Sequence, residues 1–157
     1  EPLLLPRYIE AMVSAINRQP AGDAWNCLAP LISADELDRK SFVKCFLDQK
    51  SHILCCFRRS PSFATFEQQR EYVFKVMGMI GYRKEFLLHL VGLSPTPSEQ
   101  HDFIEQMRIL EHGYNIAGVK MDRALPSVNE PGEAKIVASQ LENDPEQSQL
   151  LFDIFKE

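Results

Sequence analysis

The sequence predicts an all-α fold of seven to nine helices, packed as an irregular bundle or as a short, solenoid-like array of helical hairpins. Three observations point there. Apolar residues recur at helical spacing in most windows, as at Ile9, Met12, Val13 and Ile16. Several windows open on capping boxes or on a cap followed by proline. No stretch alternates apolar and polar residues as a solvent-facing strand does, and β-branched residues are few.

Pro6 stands near the start of the first helix, which carries the Ile9–Ile16 stripe and ends at Gln19-Pro20-Ala21-Gly22. Asp23 caps a short second helix with Trp25 and Leu28 on its inner side, stopped before Pro30. Ser33-Ala34-Asp35-Glu36 reads as a capping box, with Ile32 and Leu37 placed for a hydrophobic staple. The spacing then predicts a central helix ending near Phe57. Val43, Phe46, Leu47, Ile53, Leu54 and Phe57 share one side of it, and Phe42, Cys45, Cys55 and Cys56 widen the apolar arc.

Ser60-Pro61 breaks the chain. Thr65 with Gln68 opens a helix from Phe66 to Ile80, and Gly81 is expected as its left-handed C-terminal residue. A return helix through Phe86, Leu87, Leu90 and Val91 completes an αα-hairpin. Thr96-Pro97-Ser98-Glu99 starts the next helix, whose inner side is Phe103, Ile104, Met107 and Leu110. A weaker helix follows over 114–125, then an exposed loop over 126–132. Ala134, Val137 and Leu141 mark another helix, and Asp144-Pro145 opens the last. The final forty residues resemble a tetratricopeptide hairpin in alanine spacing only, with its Trp, Leu-Gly and Tyr positions out of register, so no repeat family is assigned. Residues 1–157 read as one domain with a sub-boundary near 93–97, and the missing initiator Met reads as a fragment of a larger protein.

Cys27, Cys45, Cys55 and Cys56 lie among apolar neighbours, which fits free thiols in a reducing, intracellular compartment. His52 and Cys55 sit at helical i, i+3 spacing, yet a zinc site needs about four ligands and no partner pair exists. No metal or cofactor is therefore expected. No nucleophile elbow, P-loop or dinucleotide glycine pattern occurs, so no catalytic residue is assigned. No window approaches the ~18 apolar residues of a membrane span.

Charge is uneven. The net is −3 over residues 1–36, +5 over 37–92 and −7 over 93–157. Arg58-Arg59 and Arg83-Lys84 carry the basic middle and are the candidate polyanion contacts. The stripe Leu150, Leu151, Ile154 and Phe155 is the candidate apolar contact for another protein or for a second copy of the chain. The reading that combines these is a non-enzymatic protein–protein interaction domain (scaffold, adaptor or complex-assembly) of a larger intracellular protein. RNA binding through 37–92 is the alternative. An enzyme is the third reading, kept because a missing motif is weak evidence.

Overall fold

The computed structural model describes residues 2–19, 22–128 and 131–156. They fall into two compact units, residues 11–124 and residues 1–10 with 125–157. In chain order the elements are α1 (Pro6–Arg18), β1 (Ala24–Pro30), α2 (Asp35–Asp38), β2 (Lys44–Leu47), β3 (Ile53–Phe57), α3 (Phe66–Gln69) and β4 (Val73–Tyr82). After these come α4 (Lys84–Val91), α5 (Pro97–Asp102), α6 (Gln106–Glu111), β5 (Ile116–Lys120), α7 (Glu133–Asn143) and α8 (Pro145–Ile154). The strands form one mixed sheet of order β3-β2-β4-β1-β5. β1 pairs antiparallel with β4 and parallel with β5, and β2 pairs antiparallel with both β3 and β4.

The fold is therefore α/β, and the expectation of an all-α chain is overturned. The error has one physical source. A strand buried on both faces is a short continuous apolar run, and over five to seven residues such a run also satisfies a helical template. Ala24–Pro30, almost wholly buried, is β1 and not a short helix. The supposed central helix is the β2–β3 hairpin, turned at Asp48–Ser51, where Asp48 Oδ1 accepts from the amides of Lys50 and His52. The Thr65 capping box is real, but its helix lasts only to Gln69 before the chain extends as β4. Gly81 lies within that strand and does not have positive φ, so there is no αα-hairpin. The weak helix at 114–125 is β5. Glu36 does reach back, though to the amide of Ile32 at 2.7 Å, and Ser33 supplies only its carbonyl.

Other starts stand as expected. Pro97 opens α5, and Asp144 caps α8 by accepting from the amides of Glu146 and Gln147. The loop expected over 126–132 lies partly outside the described residues. Its members Val128, Pro131 and Gly132 are exposed.

In the larger unit the core fills one face of the sheet. Leu28, Cys45, Ile53, Cys56 and Ile116 meet Phe86 of α4, Ile109 of α6 and Ile104 in the break before α6. On α1, Met12 and Ile16 approach Gly81 so closely that a Cβ there would lie 3.4 Å from each. In the smaller unit Leu3, Leu5, Tyr8, Leu125 and Val137 are buried. Gln147 donates to the Leu3 carbonyl at 2.7 Å, and Arg7 pairs with Glu146.

Two buried polar groups secure the sheet. Between Asn26 and Leu28 the β1–β4 register shifts by a bulge. The Asn26 amide fills it, donating to the carbonyls of Met77 (2.9 Å), Met79 (3.0 Å) and Cys27 (3.2 Å). Lys44 is fully buried at the start of β2 and donates to the carbonyls of Arg39, Phe42 and Arg58. Burial pulls its ammonium down to about 8, with the charges of Asp38 and Glu36 opposing that fall. β4 itself is long. β2 covers it only as far as Val76, and among the described residues no strand pairs with the same edge from Met77 to Tyr82.

Asn26→Leu removes the amide from three carbonyls and is expected to cost roughly 3 kcal/mol in urea unfolding. Lys44→Met leaves three buried carbonyls without their donor and is expected to cost roughly 2–4 kcal/mol. Its pH dependence has a definite sign. The folded value lies below the ordinary 10.5, so the unfolded chain holds more protons between about 8 and 10.5. Lys44 thus contributes stability that grows as pH rises through that window, and the wild-type advantage over Lys44→Met is expected to widen there.

Candidate functional site

One concavity in the larger unit lies between α5 and α6. It is a cleft of ≈ 680 Å³ lined by Pro95, Glu99, Gln100, Phe103, Glu105, Gln106 and Arg108. The break between the two helices creates it. Phe103 takes left-handed backbone (φ 54°), uncommon for a bulky residue, and its side chain is 80 % exposed at the cleft. Arg58 holds that break. Its guanidinium donates to the carbonyls of Asp102 (2.6 Å), Phe103 (2.9 Å) and Lys40 (2.7 Å). Strain at a clamped, exposed aromatic is a feature of ligand-holding loops.

The cleft floor is fixed by the sheet. Asn26 spends its NH₂ on backbone carbonyls, so its Oδ1 must act as acceptor, and Gln106 Nε2 donates to it at 3.0 Å. That fixes which end of the Gln106 amide faces Asn26 and leaves the acceptor Oε1 of this cleft-lining residue outside that bond. Also in the lining, Glu99 accepts from Arg108 at 2.6 and 2.7 Å. The Arg108 guanidinium holds the Glu99 carboxyl below the usual carboxylate range, with the Thr96 amide adding to it. Beside the cleft the Tyr82 phenol is pushed up to about 12, by burial first and by Glu105 second, so it stays protonated.

A second concavity of ≈ 560 Å³ lies across β5, between the C-terminal half of α1 and the turn at Lys50-Ser51. It shares no lining residue with the first.

The residues singled out from sequence are scattered. Arg58 belongs to the α5–α6 cleft as its clamp, with its guanidinium spent on carbonyls. Arg59 is exposed and 4.0 Å from the exposed Asp38, a weak pair. Arg83 ends the run of β4 at the N-cap of α4, with Nη2 buried and lacking a partner among the described residues, and Lys84 is exposed beside it. The strand register separates the two basic pairs by on the order of 20 Å along β4, at ~3.3 Å per residue. They do not form one patch. Leu150 and Leu151 are half-buried on α8, while Ile154 and Phe155 are exposed at its end.

The cysteines are free. Burial pushes the thiols of Cys27 and Cys56 up to about 12 and raises Cys45 and Cys55 as well, the opposite of what a nucleophile requires. His52 is bonded to Asp48. Among the described residues no three His, Cys, Asp or Glu side chains gather as a metal-binding set. Sequence reasoning missed Asn26, Phe103 and Gln106. Asn26 had a signal, as the lone polar side chain inside the apolar run Ala24–Pro30.

Comparison with known proteins gives this geometry a context. The family model described as cytidylyltransferase matches residues 1–120. A 3-deoxy-manno-octulosonate cytidylyltransferase of Protochlamydia amoebophila (strain UWE25) is 34% identical over 134 residues, covering 83% of this chain and 51% of the relative. The protein of that name from Syntrophotalea carbinolica (strain DSM 2380 / NBRC 103641 / GraBd1) is 31% identical over 150 residues, covering 90% of this chain and 60% of the relative. The chain thus spans between half and three fifths of the length of these curated relatives. The solved structure of a CMP:2-keto-3-deoxy-manno-octonic acid synthetase complexed with CTP shares the fold, with a TM-score of 0.81 and 24% identity over 92% of this chain and 59% of that one.

These findings overturn the functional expectation drawn from sequence. A non-enzymatic scaffold, with another protein, a second copy or RNA as its partner, is replaced by a family defined by an enzymatic reaction on a nucleotide. The physical reason is that the apolar runs of an α/β core also satisfy a helical template, and no phosphate-binding motif in the sequence contradicts a helical array. With 120 of its 157 residues matched by the family's model, the chain belongs to the cytidylyltransferase family.

Proposed function

We propose that the chain serves cytidylyl transfer from CTP to a sugar acid of the 3-deoxy-manno-octulosonate type, and that the α5–α6 cleft holds the acceptor. The single observation that carries this is the chemistry of the cleft in a chain of this family. A sugar acid presents hydroxyls that both donate and accept, one apolar C–H face and a carboxylate. The cleft offers a fixed acceptor in Gln106 Oε1, a second amide in Gln100, an exposed ring in Phe103, and the guanidinium of Arg108 beside its Glu99 partner. Such a mix of a few placed polar groups around an apolar surface is the usual make-up of a small-molecule site.

In the transfer, a hydroxyl oxygen of the acceptor forms a bond to the α-phosphorus of CTP. The bond from that phosphorus to the bridging β-phosphate oxygen breaks, pyrophosphate leaves with the electron pair, and the hydroxyl proton passes to solvent or a base. The contribution of the described residues is positional. Asn26 sets Gln106 from the sheet, and Arg58 sets Phe103 from the hairpin, so both walls of the cleft are held before the acceptor arrives. No described group is assigned the proton. We place the protein inside the cell, where CTP is supplied and free thiols persist. No described helix is long and apolar enough to cross a membrane.

Two measurements test this reading. Pyrophosphate release on mixing the protein with CTP and 3-deoxy-manno-octulosonate tests the transfer, and titration calorimetry with the acceptor tests the cleft. Gln106→Ala and Phe103→Ala are each expected to weaken acceptor binding about tenfold, equivalent to ~1.4 kcal/mol. Phe103→Ala changes an exposed side chain and keeps the fold, so it separates lost binding from lost stability. Acceptor affinity unchanged in both variants, or no acceptor binding by the wild type, would sink the assignment.

A further inference from the structure

The β2–β3 hairpin carries a pair of thiols that the chemistry of the α5–α6 cleft does not use. Cys45 and Cys56 stand directly opposite each other across its antiparallel strands, on the regular side of the register shift at Phe46/Leu47. Both side chains enter the same core cluster, at 0% and 6% exposure. Cys55, next along β3, belongs to the other face and is half-buried. All three are free thiols.

Hydrogen bonds on either side of the hairpin fix the kind of cross-strand pair. The Cys56 amide donates to Met107 Sδ of α6 at 3.4 Å, so it turns away from β2. On the far side of β2 the Val76 amide donates to the Val43 carbonyl at 2.9 Å, so Val43 turns to β4. Backbone groups alternate in direction along a strand, and Cys45, two residues on, also turns to β4 and away from β3. By this pattern neither cysteine takes part in the β2–β3 ladder. In such a non-hydrogen-bonded pair the Cα atoms lie about 4.5 Å apart, with the side chains at their closest. A disulfide needs Cα atoms roughly 4.4–6.8 Å apart and Cβ vectors that do not diverge, and two opposed residues on one sheet face fall inside that window.

We propose that Cys45 and Cys56 are a reversible dithiol–disulfide pair that fastens the β2–β3 hairpin when the protein meets a disulfide oxidant such as oxidised glutathione. One protein thiolate attacks the S–S bond of the oxidant, forms a mixed disulfide and releases one glutathione thiol. The second attacks the protein sulfur of that mixed disulfide, forms the Cys45–Cys56 bond and releases the other glutathione. The two protons end on the glutathione thiols, and the two electrons reduce the S–S bond of the oxidant. Burial keeps both thiols protonated in the closed hairpin, so the exchange waits on its opening. β3 is the outer strand of the sheet among the described residues, which keeps that opening local.

The bond also reaches the α5–α6 break. Arg58, two residues past Cys56, clamps the carbonyls of Asp102 and Phe103, and its own carbonyl accepts from Lys44, the neighbour of Cys45. Fastening Cys45 to Cys56 holds the strand ends that bear these groups. The pairing rests on the hairpin geometry alone and does not depend on what the cleft binds.

The test exposes the folded protein to oxidised glutathione and maps the product by tandem mass spectrometry. Two of the four thiols are expected to disappear into a Cys45–Cys56 link, and dithiothreitol is expected to restore both. Cys55→Ala is expected to keep the link. Amide hydrogen exchange over residues 44–57 is expected to slow at least tenfold in the linked form, and exchange at 102–105 to slow with it. Four free thiols after exposure, a link that joins Cys27 or Cys55, a glutathione adduct without the link, or a link formed only in urea would overturn the proposal. Unslowed exchange at 102–105 in the linked protein would overturn its reach to the cleft.

Discussion

One side chain ties the sheet to the cleft beside it. Asn26 sits where β1 slips against β4, and its amide takes the place of ladder hydrogen bonds that the bulge removes. An apolar residue there would leave carbonyls of both strands dry and unpaired. The same amide can turn its oxygen only one way, and that choice orients Gln106. A local irregularity of the backbone thus decides the polarity of a surface some distance along the chain. The arrangement depends on burial, since in water the Asn26 amide would have no reason to keep one orientation.

The basic middle of the sequence illustrates how misleading net charge is when side chains have structural work. Lys44 closes a loop from inside the protein, Arg58 clamps the α5–α6 break, and Lys75 lies 3.3 Å from Glu36 and over the Phe42 ring. Each cation is matched to carbonyls, a carboxylate or an aromatic face, as buried or half-buried charge must be. The residues that line the concavity across β5, Arg18, Lys50 and Lys120 among them, are far apart in sequence. A running charge sum cannot find such a group, because the fold assembles it.

What was legible in the sequence was local. Capping residues act within one turn, so Thr65, Pro97 and Asp144 marked true helix starts. α1 was legible too, though its buried side runs through Tyr8 and Met12, leaving Ile9 and Val13 about half exposed. The strands were not legible, because their stability lies in partners distant along the chain. β1 joins residues 24–30 to 74–82 on one side and to 116–120 on the other. Cys45, Cys55 and Cys56 pack as strand residues as readily as helical ones, and five apolar residues in a row fix no period. The cleft was hidden for the same reason. Its members are ordinary glutamine, glutamate and phenylalanine, and only the left-handed turn at Phe103 gives them a common address.

β4, at ten residues, is the longest of the described strands. By position it is the middle strand of five, the place where a sheet is ordinarily most protected. Yet β2 leaves it after Val76, so among the described residues β1 is its single strand neighbour from Met77 to Tyr82. Half of the backbone groups in that stretch face β1 and the rest face away from it. Amide hydrogens on the two sides of one strand should then exchange with solvent on very different timescales, with the slow set marking the Asn26 bulge.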